Sequence, residues 1–328
     1  MIRRRLGLGA AAIALALPLA GCMTVHGERA DIPSVAPAEA AKVLSHFATV
    51  DNQATKTWDA QLLGQIETGP LGAIDGAGVR AKHANNPGGN PSFSALAFSD
   101  SKFWIPKQVG WPKFFVADTA PNRGAPGTRW LLLFRRASAS DPWRAAYLAV
   151  ASEGSLPAPA TDQDGHVLPV PVTGGGLLLA PAKVGTAYTG YLQNGTAASE
   201  FAKGAATSTL RSTRQAQART PNSVTQYADQ PADGGEFAPV ALRTKDGGAL
   251  VFFGTRHQSK STYRAGYKLS VDQDTRALMT GTPKTSVTLS HVGQQLVTVP
   301  KAGGGGSGGP GQVVFVSRLV GLVSATGN

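Results

Sequence analysis

A chain of 328 residues with 42% hydrophobic residues, 40 glycines and 22 prolines describes a globular protein with flexible connections, sized for one large domain or two small ones. Its formal net charge of +11 points toward anionic surfaces such as lipid headgroups or envelope polymers. Its single cysteine, Cys22, excludes an intrachain disulfide, so the fold must stand on its core.

The first segment has the physical parts of an export signal. Arg3, Arg4 and Arg5 precede an apolar run of 15 residues, Leu6 to Ala20, too short to span a bilayer comfortably. Leu19-Ala20-Gly21-Cys22 closes the run in the form of a bacterial lipobox. Residues 1–21 therefore read as a signal peptide. The Cys22 thiol is the nucleophile that takes a diacylglyceryl group, and cleavage makes it the mature N-terminus, carrying palmitate-type chains. Arg3-Arg4 followed by Leu6 is also part of a twin-arginine export pattern, so the route stays open. The mature chain carries 28 basic and 20 acidic residues, a balance that serves anionic contacts or solubility alone.

Residues 22–36, with mixed charge and Pro33, read as a tether. Pro37 opens a helical pattern in which Leu44, Phe47, Val50, Ala54, Trp58, Leu62 and Ile66 recur every three or four positions, until Gly69-Pro70 stops it. Strands follow at Phe103–Ile105 and Phe114–Ala117, then as a hairpin of Trp130–Phe134 with Trp143–Tyr147. The Pro/Gly-rich stretch 153–176 reads as a linker between a first module, 37–152, and a second, 177–326. Pro181 opens a second helix with Val184, Tyr188 and Tyr191 on one face, which breaks at Asn194-Gly195 and resumes from Ala197 to about Gln217. Further strands are expected at Phe237–Arg243, as a hairpin of Ala249–Phe253 with Tyr263–Tyr267, and at Val287–Val299 and Val313–Val323. The glycine run from Gly303 to Gly311 reads as an exposed loop. The expectation is an α+β fold of two imperfectly repeated modules, each with helices on a curved antiparallel sheet.

That layering resembles the cone-shaped folds of the nuclear-transport-factor and cystatin type. More closely, Cys22-Met23-Thr24-Val25-His26-Gly27-Glu28, Gly110-Trp111-Pro112-Lys113-Phe114-Phe115-Val116-Ala117-Asp118 and Asp246-Gly247-Gly248-Ala249-Leu250-Val251-Phe252-Phe253 resemble segments of a streptomycete, actinobacterial lipoprotein family classed as a domain of unknown function. The resemblance implies fold, origin and location, and transfers no catalytic residues.

Motifs for chemistry are sparse. Gly305-Gly306-Ser307-Gly308-Gly309 fits the nucleophile-elbow spacing without the strand and helix that such an elbow needs. Asp162, Asp164 and Gly165 start a calcium loop and then lack its remaining ligands, so a polar turn is expected. The histidines lack metal-ligand spacing; no metal or cofactor is expected. Asp51, Asp59 and Glu67 share a polar helix face that solvation explains.

Trp104, Trp111 and Phe114 cluster about Pro106 and Pro112 as a candidate recognition edge, or cap the sheet core. Arg211 and Arg214 lie on one face of the second-half helix, as a contact for anionic groups or as an ordinary charged surface. The preferred function is a noncatalytic binding module, lipid-anchored at the outer face of the cytoplasmic membrane, with an anionic envelope polymer or a protein as partner. Nucleic acid is excluded by location. The alternative is an envelope hydrolase or isomerase using a cone pocket, with His46 or His257 as base. A carboxylate–histidine pair in a deep cavity would favour the enzyme; filled cores favour the binding module.

Overall fold

The computed structural model describes residues 30–303 and 311–328. The chain is α+β. In chain order its elements are β1 (Ile32–Pro33), α1 (Pro37–Thr57), α2 (Ala60–Ile66), α3 (Gly69–Asn85), β2 (Phe98–Trp104), β3 (Lys107–Gln108), β4 (Lys113–Pro121), β5 (Thr128–Arg136) and β6 (Arg144–Ser152). Then come β7 (Pro169–Val170), α4 (Pro181–Asn194), α5 (Leu210–Gln217), β8 (Ser223–Ala232), β9 (Val240–Arg243), β10 (Ala249–Tyr263), α6 (Gln273–Ala277), β11 (Met279–Gly281), β12 (Ser286–Val299) and β13 (Val314–Gly327).

The helical stripe read from the sequence is real up to Thr57: Ala40, Leu44, Phe47, Val50 and Ala54 are its buried face. It then breaks. Trp58 adopts a left-handed C-cap at φ 57°, and the Asp59 carboxylate caps α2 by accepting from the backbone N–H groups of Gln61 and Leu62. Gly69-Pro70, expected to stop a helix, starts one. Proline fits the first turn, where no backbone donor is missed. Gly69 is needed as glycine on two counts: its φ is +56°, and a Cβ there would stand 2.6 Å from the Glu236 carbonyl.

A four-stranded antiparallel sheet, β2-β4-β5-β6, takes the first half of the chain. One face packs under α1 and α2, where Phe115 and Phe134 stack at 5.0 Å in a cluster with Leu44, Phe47, Leu63 and Ile66. The second half forms a larger sheet ordered β11-β13-β12-β10-β9-β7, with β8 pairing the far end of β10. Its strands are antiparallel except for the β11–β13 edge pair. Tyr263–Tyr267 is not a returning strand. β10 runs unbroken to Tyr263 and its long partner is β12, in register from Ala249↔Val299 to Thr262↔Ser286. α4 covers one face of this sheet, packing Val184, Tyr188 and Leu192 on Val251, Phe253 and Val297.

The other faces of the two sheets meet. Val116, Leu131, Leu133 and Tyr147 from the first join Val240, Leu242, Leu250, Phe252 and Leu296 from the second in one buried cluster, to which Val167 contributes. Stretch 153–176 thus supplies β7 and two core side chains, Val167 and Val170, while residues 152–155 and 171–173 stay exposed. Limited proteolysis is expected to nick those exposed positions and leave the fragments together, because the shared apolar interface outlasts one cut. Fragments that part on native gel filtration would show two independently stable halves.

Candidate functional site

Among the described residues, two buried polar clusters and one cleft are candidate sites. The first is on the α4 face of the large sheet. Thr255 and His257 continue on β10 the alternation of Val251 and Phe253, so both point into the α4 side. Register puts Asp229 of β8 and His291 of β12 directly beside His257. The His257 Nδ1 lies 2.5 Å from Asp229 Oδ1, its Nε2 lies 2.8 Å from Thr255 Oγ1, and Gln295 Nε2 donates to that hydroxyl at 2.9 Å. Arg214 Nη1 donates to the other Asp229 oxygen at 2.7 Å and its guanidinium stacks 5.0 Å over the Tyr227 ring.

Donor and acceptor capacity fixes the proton order. An ionised Asp229 only accepts, so His257 Nδ1 carries a proton toward it, and Nε2 then accepts from Thr255. Burial pushes the His257 pKa down, against the Asp229 hydrogen bond, and keeps the ring neutral. Burial alone would raise Asp229, but the hydrogen bonds from His257 and Arg214 override it and hold the carboxyl below its ordinary value. His257 is 5% exposed and Thr255 0%. The nitrogen that a general base needs is therefore occupied by a hydroxyl no substrate reaches. A depression of about 360 Å³ does touch His257 and His291, yet Gln230, Arg256, Gln258 and Ser290 around it alternate to the opposite face of the sheet.

The second constellation is a buried carboxylate cluster among the helices, and it corrects the solvated-face reading. Asp51 and Glu67 are buried, Glu67 to 3% exposure, and Asp75 of α3 is half-buried. Both Glu67 oxygens and Asp51 Oδ2 lack a hydrogen-bond partner. Burial first, then the charges of Asp75 and Asp51, lift Glu67 well above the usual carboxylate range; burial and Asp51 push Asp75 up to about 7. Asp59, the third residue of the expected face, is spent on capping α2.

The third is a cleft of about 480 Å³ where the halves meet, lined by Thr68, Pro112, Arg135, Ala137, Asp141, Pro142, Arg144 and the 235–238 turn. Its charges are already engaged. Arg135 Nη1 lies within 3.3 Å of the carbonyls of Gly235, Glu236 and Ala238, and Arg144 Nη2 donates to Glu236 at 2.6 Å. An occupant would meet mainly apolar walls and a compensated rim.

The expected recognition edge divides. Trp111 is 43% exposed at the cleft's Pro112 side, flanked by the Lys113 ammonium at 5.8 Å and the Arg136 guanidinium at 5.7 Å from its ring. Trp104 and Phe114 instead pack with the intersheet core. Arg211 lies over Tyr191 at 5.8 Å and Arg214 turns inward to Asp229, so the two do not form one basic patch. His46 is exposed on α1. Asp162 accepts from the Asp164 and His166 backbone N–H groups, the geometry of a polar turn. Among the described residues no group of three His, Cys, Asp or Glu is placed to hold a metal. Cys22, Leu19, Ala20, Gly21 and the Gly305–Gly309 motif lie outside the described residues.

A domain of unknown function, DUF8094, matches residues 32–327, nearly the whole described chain. The chain belongs to this family. It is 43% identical to an uncharacterized lipoprotein of Streptomyces coelicolor over 98% of this chain and 94% of that one. It is 42% identical to an uncharacterized lipoprotein of Streptomyces avermitilis, over 97% and 93% respectively. A second Streptomyces coelicolor lipoprotein is 26% identical over 91% of this chain and 89% of its own. No solved structure matches. The lipoprotein family expected from the sequence is thus the one found, and the relatives share its lipoprotein naming.

Sequence reasoning missed the Asp229 partner of His257 and all the cleft residues contributed by the 235–238 turn. The first had one legible signal. Thr255 and His257 fall in phase with Val251 and Phe253, which marks them as inward-facing before any partner is known.

Proposed function

We propose that this protein is a noncatalytic binding lipoprotein, held by lipid on Cys22 at the outer face of the cytoplasmic membrane. The intersheet cleft beside Trp111 takes a small, largely apolar ligand with a polar end. One observation carries the binding reading: the histidine with a carboxylate partner is sealed and fully hydrogen-bonded, whereas the open 480 Å³ space has apolar walls and already-paired charges. The lipobox and the naming of the relatives support the anchor. Among the described residues no helix is long and apolar enough to cross a membrane.

Native mass spectrometry of protein extracted from its own membranes in mild detergent is expected to show a bound small molecule that Ala137→Trp, which fills the cleft, removes. A bound mass unaffected by Ala137→Trp places the ligand elsewhere. The enzyme reading keeps one observation in its favour, the Asp229–His257 pair itself. Turnover of an envelope substrate that His257→Gln abolishes in a folded protein would establish it.

Cys22→Ser is expected to move the protein from the membrane fraction to the soluble fraction or to leave it as the uncleaved precursor, because serine oxygen does not take the diacylglyceryl group. Full membrane retention of a correctly cleaved Cys22→Ser chain would remove the lipid anchor from the proposal.

A further inference from the structure

The described chain begins beside the Trp111 corner. β1 runs antiparallel to β3, with Ile32 opposite Gln108 and Pro33 opposite Lys107. Extending that register, Asp31 and Ala30 head toward Val109, Gly110 and Trp111. Burial pushes the Lys113 pKa down and the Asp31 charge works against it, which puts Asp31 on the Lys113 side, in agreement with that direction.

Three apolar side chains at this end face solvent: Ile32 at 50%, Val109 at 52% and Trp111 at 43% exposure. A lone exposed aliphatic residue needs no explanation, but Ile32 pairs with Gln108, the residue before Val109, and Trp111 follows two positions on, so three exposed apolar residues gather at one end of the β1–β3 pair. Indole is the side chain best suited to the lipid headgroup boundary, with an apolar body and one polar N–H. Lys113, 6% exposed and donating to the Gln108 carbonyl, and Arg136, donating to the Asp141 and Ala139 carbonyls, hold the ring in place and offer headgroups little charge, so the contact rests on its apolar surface.

Chain reach restricts where this point can be. Ala30 lies eight positions after Cys22. Fully extended that stretch spans at most about 28 Å, so a lipid on Cys22 keeps the corner near the bilayer. The acyl chains of a lipid on Cys22 would anchor the protein, and a second, weaker contact would orient it.

We propose that Ile32, Val109 and Trp111 form a membrane-contact point that dips into the headgroup boundary of the bilayer carrying the Cys22 lipid, fixing the body's orientation with the cleft mouth close to the membrane surface. The proposal rests on the lipid-anchor reading, and the test separates the two. Vesicles of phosphatidylethanolamine and phosphatidylglycerol containing brominated phospholipid quench tryptophan fluorescence only where the ring enters the lipid. One arm uses the native lipidated protein. The other uses the mature chain from Met23 with an N-terminal hexahistidine tag, held on vesicles that also contain a nickel-chelating lipid.

The expected result is quenching in both arms that Trp111→Phe largely removes, since Trp58, Trp104, Trp130 and Trp143 are each partly buried and Trp111 alone of the five is exposed. Quenching confined to the tagged arm, with the native chain left in the supernatant after centrifugation, would keep the contact point and overturn the lipid anchor. Vesicle-bound protein in the tagged arm whose fluorescence is unquenched, or is quenched equally in Trp111→Phe, overturns the contact point whatever becomes of the anchor. Circular dichroism of Trp111→Phe confirms the fold, which this exposed position leaves intact.

Discussion

Asp229→Asn should destabilise the protein by roughly 3–5 kcal/mol, the usual cost of removing one partner from a buried charged pair. Asp229 is 4% exposed and accepts from Arg214 at 2.7 Å and from His257 at 2.5 Å. Loss of its charge strands the Arg214 guanidinium, whose side chain is only 13% exposed. The amide also confronts His257 with a mixed donor and acceptor where a pure acceptor stood, so the Gln295→Thr255→His257→Asp229 donor order breaks. Urea unfolding should show a lower midpoint with an unchanged slope, since the native core remains the same size. His257→Gln should cost less, because Arg214 keeps its carboxylate. A variant Asp229→Asn as stable as the parent would mean that the array is not structural. The pair would then be available for chemistry, and the enzyme reading would gain what the binding reading loses.

The elements legible in the sequence are those whose signal is local. Trp130–Phe134 and Ala249–Phe253 are apolar runs of strand length, and α1 shows its stripe because one continuous face of Ala40, Leu44, Phe47 and Val50 is buried. α3 hid behind its own packing. Gly69, Pro70, Gly72, Gly76 and Gly78 look like helix breakers, yet Gly69 is what lets the chain pass the Glu236 carbonyl of the other half. The polar centres were illegible for a different reason. Asp229 and His257 meet through the register of β8 and β10, 28 positions apart, and no spacing rule reports a register. Asp51 follows Phe47 by four positions and so lies on the buried face of α1 itself, while the left-handed turn at Trp58 redirects α2 and brings Glu67 to it. The Trp104–Trp111 corner was visible as a cluster of rings, but which ring faces solvent depends on the intersheet core that takes Trp104 and Phe114.

That buried carboxylate cluster gives the other large effect. The folded state raises the pKa of Glu67, through burial first and then the Asp75 and Asp51 charges, and raises Asp75 to about 7. An acid raised on folding contributes stability that is complete below its unfolded pKa, near the ordinary 4.5 of glutamate or 3.8 of aspartate, and is lost as pH climbs through the folded value. The cluster therefore weakens the fold as pH climbs from about 4 through about 7, where Asp75 ionises, by roughly a few kcal/mol. His257 works in the opposite sense. Its folded pKa is lowered from 6.5, so its contribution is present above that value and fades on acidification. The parent's pH profile mixes the two effects; comparison with Glu67→Gln at each pH separates them. The amide matches the neutral acid in shape and cannot ionise, so Glu67→Gln should equal the parent near pH 5 and exceed it at pH 8, by roughly 1–3 kcal/mol in denaturant unfolding. A Glu67→Gln protein that is less stable than the parent at pH 8 would mean that the ionised carboxylate has a cationic partner in solution, and the orphaned oxygens of Glu67 and Asp51 would be where that partner binds.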